Sequence, residues 1–147
     1  MMQTRRKRSL SKKTEDITEC SPGTGKPLPS EHEEQCAFVS SFRKAFPGVR
    51  IIAVPNGGWR DIRTAARLKA EGVCRGVPDL FIPEWGLWIE MKRQKGGAVS
   101  DAQKDWLEYL DGIGYGAVVC CGAAEAMNAV LAWREAVKDG CLSIRLG

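Results

Sequence analysis

The chain of 147 residues carries 22 Lys and Arg against 18 Asp and Glu, for a formal net charge of +4, and a single His beside six Cys. That length suits one domain with one core, and the lone His32, with no C-x-x-C pair among the cysteines, argues against a zinc site. No apolar region follows the basic start as a secretory signal requires, and no run reaches the roughly 20 apolar residues of a membrane span, so reduced thiols in a cytoplasmic protein are expected.

Residues 1–29 open with Arg5, Arg6, Lys7, Arg8, Lys12 and Lys13 and continue rich in Ser, Thr, Gly and Pro, which predicts a flexible basic arm ahead of a domain over 30–147. Ser30 with Glu33 forms an S-x-x-E capping box for a helix to about Ala45, before Pro47-Gly48. A short strand, "VRIIAVP", follows, and then, after "NGG", a helix from Trp59 to about Glu71, stopped by Gly72. Two apolar runs within "GVPDLFIPEWGLWIEMK" read as a strand hairpin. Ser100 and Gln103 make a second capping box, for a helix to Gly112; "YGAVVCC" reads as a strand buried on both faces, and Ala123 to about Lys138 as a closing helix. The order predicts an α/β domain with a mixed central sheet flanked by helices.

Side chains alternate along a strand, so Glu90 and Lys92 share one face while Ile89 and Met91 take the other. With Pro83 to Gly86 as the loop, Ile82 faces Leu87, and the same count sets Asp79 opposite Glu90. Directly opposed side chains hold their Cβ atoms about 5 Å apart, and like charges there repel. Such a carboxylate pair asks for a cation. Oxygen ligands with open positions suit Mg²⁺, with Mn²⁺ as a substitute, and Lys92 stands one pleat away as a point charge for a water or a phosphate. The competing reading is a surface hairpin that merely carries Asp79, Glu90 and Lys92 to solvent.

On the first helix, counting back from Phe42 through Phe38 and Gln35 to Glu31 keeps one face, so Glu31 and Gln35 are expected on the core side, near the hairpin's carboxylates. Glu31 in a first turn also suits the helix dipole on its own account, and Glu34 is the rival for its place at the site.

Taken together, Glu31 and Gln35 (E-x-x-x-Q), Pro55 to Gly58 (P-N-G-G), Arg75 to Leu80 (R-G-V-P-D-L), Ile89 to Lys92 (I-E-M-K) and Ser100 to Gln103 (S-x-x-Q) resemble, in order and spacing, the VRR-NUC branch of the PD-(D/E)xK nucleases. The resemblance spans about residues 30 to 135. It implies a restriction-endonuclease-like core and a metal-dependent DNA endonuclease, in which Asp79, Glu90 and the Met91 backbone carbonyl hold the ion, Glu31 reaches it through water, Lys92 serves the nucleophilic water, and Gln103 lies near the site. Stand-alone viral members of the family are similar to Holliday-junction resolvases and act as homodimers, and this chain resembles that small type; a symmetric pair would present two sites to a branched DNA.

For DNA contact, Arg60, Arg63 and Arg67 fall on one helical face, and Asn56 and Gly57 let the backbone come close to a phosphate. Arg75, Arg93 and Lys95 are the further candidates, the last two on the loop after the Glu90 strand. Pairing of the arginines with Asp61 and Glu71 is the plain alternative. Trp85, at the turn tip, is a candidate dimer contact. A second class of function remains in view: an inactive nuclease fold that only binds DNA, or a nuclease acting on flaps, nicks or linear DNA.

Overall fold

A computed structural model of the chain describes residues 25–56 and 61–139. Most of the expected basic arm therefore lies outside the described residues, as do Gly57 and Arg60; residues 25–29 are exposed and without regular structure. The element order is α1 (Glu31–Ala45), β1 (Ile52–Ala53), α2 (Ile62–Ala70), β2 (Leu80–Ile82), β3 (Leu87–Lys92), α3 (Asp101–Gly112), β4 (Gly116–Cys121) and α4 (Ala123–Lys138). No described helix is long and apolar enough to cross a membrane.

Helix α1 starts where the capping box predicts: the Ser30 amide donates to Glu33 at 2.7 Å, and the Glu33 amide donates to the Ser30 hydroxyl at 3.3 Å. Strand β1 is far shorter than "VRIIAVP". Ahead of it the Arg50 amide is drawn to the Glu84 carboxylate at 3.3 Å, and beyond it Pro55 has no N–H to offer a ladder while the Asn56 amide folds back onto the Val54 carbonyl at 2.8 Å. Helix α2 begins at Ile62, later than Trp59, because Asp61 takes the N-cap: its carboxylate accepts from the Arg63 and Thr64 amides, each at 3.0 Å.

The sheet has four strands in the order β1-β2-β3-β4, antiparallel except for β3 with β4, so it is mixed as expected. Its β2–β3 register pairs Ile82 with Leu87 and Leu80 with Ile89, the four-residue turn being a 3-10 turn over Pro83–Trp85 closed by Gly86. Leu80, Ile82, Leu87, Ile89 and Met91 face Phe38 and Phe42 of α1 and Ala126 and Val130 of α4, and this layer is the core. At about 25 cal/mol per Å² of apolar surface removed from water, that alternation pins the register, since a one-residue slip would turn the whole set outward.

Three expectations are corrected. Strand β4 is not fully buried: α3 and α4 both pack against it, yet Ala117, Val118 and Val119 are only half-buried, and among the described residues it is the edge strand, paired only with β3. Trp85 is no fully exposed turn aromatic: half-buried, its ring packs edge-on against Phe42 and Phe46 at 5.6 and 5.0 Å, and its carbonyl accepts from Trp133 Nε1 at 2.8 Å, so packing against the core accounts for it without a dimer contact. Finally, the buried stripe of α1 runs Phe42, Phe38, Glu34, in steps of four throughout; Glu31 is exposed and Gln35 half-buried.

Candidate active site

The face of β3 opposite the core carries Trp88, Glu90 and Lys92, and of these Glu90 and Lys92 are buried, at 1% and 6% exposure. A solvent-facing charge pattern is thereby ruled out for the strand. Asp79 immediately precedes β2, one step beyond the Leu80–Ile89 pair, and its Oδ2 accepts from the Met91 amide at 2.8 Å. The Val54 amide bonds the Asp79 carbonyl at 2.8 Å, fixing the same residue from the β1 side.

Glu90 is held asymmetrically. Its Oε1 accepts from Lys92 Nζ at 2.7 Å and also from Gln103 Nε2, while its Oε2 is buried with no partner among the described residues. Gln103 performs two tasks with one amide: its Oε1 accepts from the Ser100 amide at 2.8 Å, completing the α3 capping box, and its nitrogen reaches Glu90. An orphaned buried carboxylate oxygen costs roughly 1 to 3 kcal/mol, more when charged, so its persistence points to a missing partner.

Electrostatics reflect that crowding. Burial pushes Glu90 up to about 6, against the hydrogen bond from Lys92, with the Asp79 charge adding to the rise. Asp79 is raised as well, first by burial, while the Met91 amide and Lys92 pull the other way and Glu31 pushes it further up. For Lys92 burial works against the charge, but the hydrogen bond and charge of Glu90, followed by Glu31 and Asp79, outweigh it and keep the ammonium above its usual range. Glu31 is thus within electrostatic reach of all three groups from the end of α1. The carboxylate of Glu34, its rival, is tied instead to Gln94 and the Ala123 amide.

Beside Asp79 a small pocket of about 150 Å³ is lined by Asn56, Arg75, Gly76, Ser100 and Gln103, among others. Its wall is tight: Gly76 has φ +85 and a Cβ there would lie 2.5 Å from the Ala102 backbone, so only glycine lets the R-G-V-P-D loop meet the start of α3. The Asn56 side chain donates to the Val77 carbonyl, which keeps the loop closed and engages its amide internally. Arg75, Arg63 and Arg67 are exposed; Arg67 pairs with Glu71 at 3.5 Å, whereas Asp61 caps α2 and forms no ion pair with an arginine among the described residues. Arg93 donates to the Gly96 carbonyl at 2.9 Å within its own exposed loop, beside exposed Lys95. Trp88 stacks on Phe81 with centroids 4.3 Å apart and walls the site on the sheet side.

The model of the VRR-NUC domain matches residues 31–124, a stretch that contains every element from α1 to the start of α4. The chain belongs to the VRR-NUC family. A solved structure described as a VRR-NUC domain protein is similar at 27% identity with a TM-score of 0.59, over 74% of this chain and 91% of that one. No curated protein matches. The VRR-NUC assignment, with the mixed sheet and its flanking helices, makes this a nuclease-like α/β fold and places the chain in a nuclease family.

Gln94 and Gly122, which the sequence did not single out, meet near the site around Glu34, which the sequence offered only as the rival of Glu31. A signal existed: α4 begins after glycine, which has no side chain to cap a helix, so its first amides needed an acceptor from elsewhere.

Proposed function

We propose that this domain is a Mg²⁺-dependent endonuclease, with Mn²⁺ as a substitute, that hydrolyses DNA phosphodiester bonds with a preference for branched DNA such as a four-way junction, acting as a homodimer. The observation that carries the reading is the buried Oε2 of Glu90, unpartnered among the described residues and within electrostatic reach of the Asp79 carboxylate. Among the described residues no group of three or more His, Cys, Asp and Glu side chains is set to hold a metal. Two carboxylates and a backbone carbonyl nevertheless fit an ion that keeps several waters and takes substrate oxygens as its remaining ligands. Asp79, Glu90 and the Met91 carbonyl would hold it, with Glu31 acting through water. Once bound, such an ion supplies a water of lowered pKa and neutralises charge on the phosphate.

The chain's own groups divide the remaining work. Lys92 and Gln103 both hold Oε1 of Glu90, so the carboxylate cannot rotate and Oε2 stays presented. Lys92, buried and cationic, is a fixed point charge that orients the attacking water and steadies charge growing on the phosphoryl oxygens. Exposed Arg63, Arg67, Arg75 and Lys95 supply phosphate contacts, to which Arg93, Asn56, Gly57 and Arg60 would add; backbone contacts of this kind favour shape over base sequence. The homodimer rests on the family resemblance, since Trp85 no longer speaks for it.

The experiment is cleavage of a labelled four-way junction compared with linear duplex, flap and single strand at matched salt in Mg²⁺. Faster cutting of the junction supports the reading. Equal rates on all four would remove the junction preference, and binding without cutting on any of them would favour an inactive DNA-binding module.

A further inference from the structure

We infer that Glu34 is a positioning residue: its carboxylate clasps the end of β3 to the start of α4 and so fixes Lys92 in the site. This rests on the nuclease reading above. Glu34 continues the Phe42–Phe38 stripe of α1 and is only 4% exposed. A leucine or phenylalanine there would extend the core without desolvating a charge, and a well-packed apolar side chain commonly equals or exceeds a buried ion in stability. What the carboxylate adds is direction.

Its two oxygens reach the turn that follows β3 and the first residue of α4. Oε1 accepts from Gln94 Nε2 at 2.6 Å, and Oε2 accepts from the Ala123 amide at 2.7 Å, short distances typical of charge-assisted bonds. Ala123 opens α4, where the helix leaves its first amides without partners and where its dipole favours a negative group. Gly122 cannot provide that cap. It sits at φ +92, and a Cβ there would come within 2.9 Å of Gln94 Cγ and 3.3 Å of Glu34 Oε2. The Gly122 amide instead donates to the Lys92 carbonyl at 2.8 Å.

The backbone of Lys92, the side chain of Gln94 and the first turn of α4 therefore close around one carboxylate supplied by α1. Lys92 Nζ must stay at 2.7 Å from Glu90 to hold that group, and a displacement of about 1 Å in such a site can cost on the order of a hundredfold in rate. None of these groups touches the reacting phosphate. Their effect passes through Lys92.

The test is steady-state cleavage by Glu34→Ala, Glu34→Gln and Gln94→Ala proteins, each normalised to its folded fraction, with hydrogen exchange of the Ala123 amide measured alongside. For Glu34→Ala, kcat is expected to fall about tenfold or more with KM for DNA nearly unchanged, while the Ala123 amide exchanges faster. Glu34→Gln, which can still accept from Ala123 and meet a turned Gln94 amide, recovers most of the loss. Gln94→Ala removes half the clasp from an exposed position, and lowers kcat by a smaller factor, about threefold. Wild-type kcat in Glu34→Ala, or in Gln94→Ala should the first variant fail to fold, overturns the inference while leaving the nuclease reading intact. A wild-type protein that cuts no DNA overturns both.

Discussion

Glu90 is the residue on which the proposed chemistry turns, and its surroundings give it a measurable signature. With its carboxyl raised from an ordinary 4.5 to about 6, the folded protein binds this proton more tightly than the unfolded chain does. Stability contributed by the group is therefore greatest below the ordinary value and is lost as pH rises through about 6, opposite in sign to a carboxylate stabilised by a salt bridge. In chelator, thermal unfolding followed from pH 4 to 7 is expected to show this falling component in the wild type and not in Glu90→Gln. A wild-type component that rises across the same window would mean that Lys92 and Gln103 outweigh burial. Adding Mg²⁺ at neutral pH is expected to raise Tm, because an ion bound to Asp79 and Glu90 stabilises only the folded state.

At the level of elements, the hairpin was the most legible part of the chain, and for a physical reason: a four-residue turn fixes a period-two register, so the pairing of Ile82 with Leu87 and Leu80 with Ile89 could be counted from the letters. Both capping boxes were equally readable because their hydrogen bonds are local. Long-range partners were not. Trp85 looked exposed because the ring of Phe42, Phe46 and Trp133 around it comes from distant helices, and the α1 stripe was ambiguous by one step between Gln35–Glu31 and Glu34 because 3.6 residues per turn allows steps of three or four. The role of Gln103 shows the middle case, a cap visible in sequence whose second bond, to Glu90, needs the fold to bring α3 against β3. Helix α2 buries none of its residues and carries Arg63 and Arg67 on its surface, where the proposed function assigns them phosphate contacts. Replacing either arginine by alanine is expected to weaken DNA binding alike on all sequences and to lower the slope of log K against log salt by about one. An unchanged slope would return that face to plain solvation and the Arg67–Glu71 pair.

For the whole molecule, the sheet works as a divider: one face buries Leu87, Ile89 and Met91 against α1 and α4, and the other carries Glu90 and Lys92, so one strand serves core and site at once. That arrangement explains why charged groups sit within apolar runs. The matched family and fold make this a nuclease-like domain; the function proposed for it is phosphodiester hydrolysis by an ion held at Asp79 and Glu90 with Lys92 at its side. The most direct measurement is single-turnover cleavage of a four-way junction by wild-type and Lys92→Ala proteins, in Mg²⁺ and in chelator, with DNA affinity measured on the same samples. The account predicts cutting by the wild type in Mg²⁺ alone, a fall of about a hundredfold or more for Lys92→Ala, and similar DNA affinity for both. Cutting in chelator, or wild-type rates from Lys92→Ala, would contradict it.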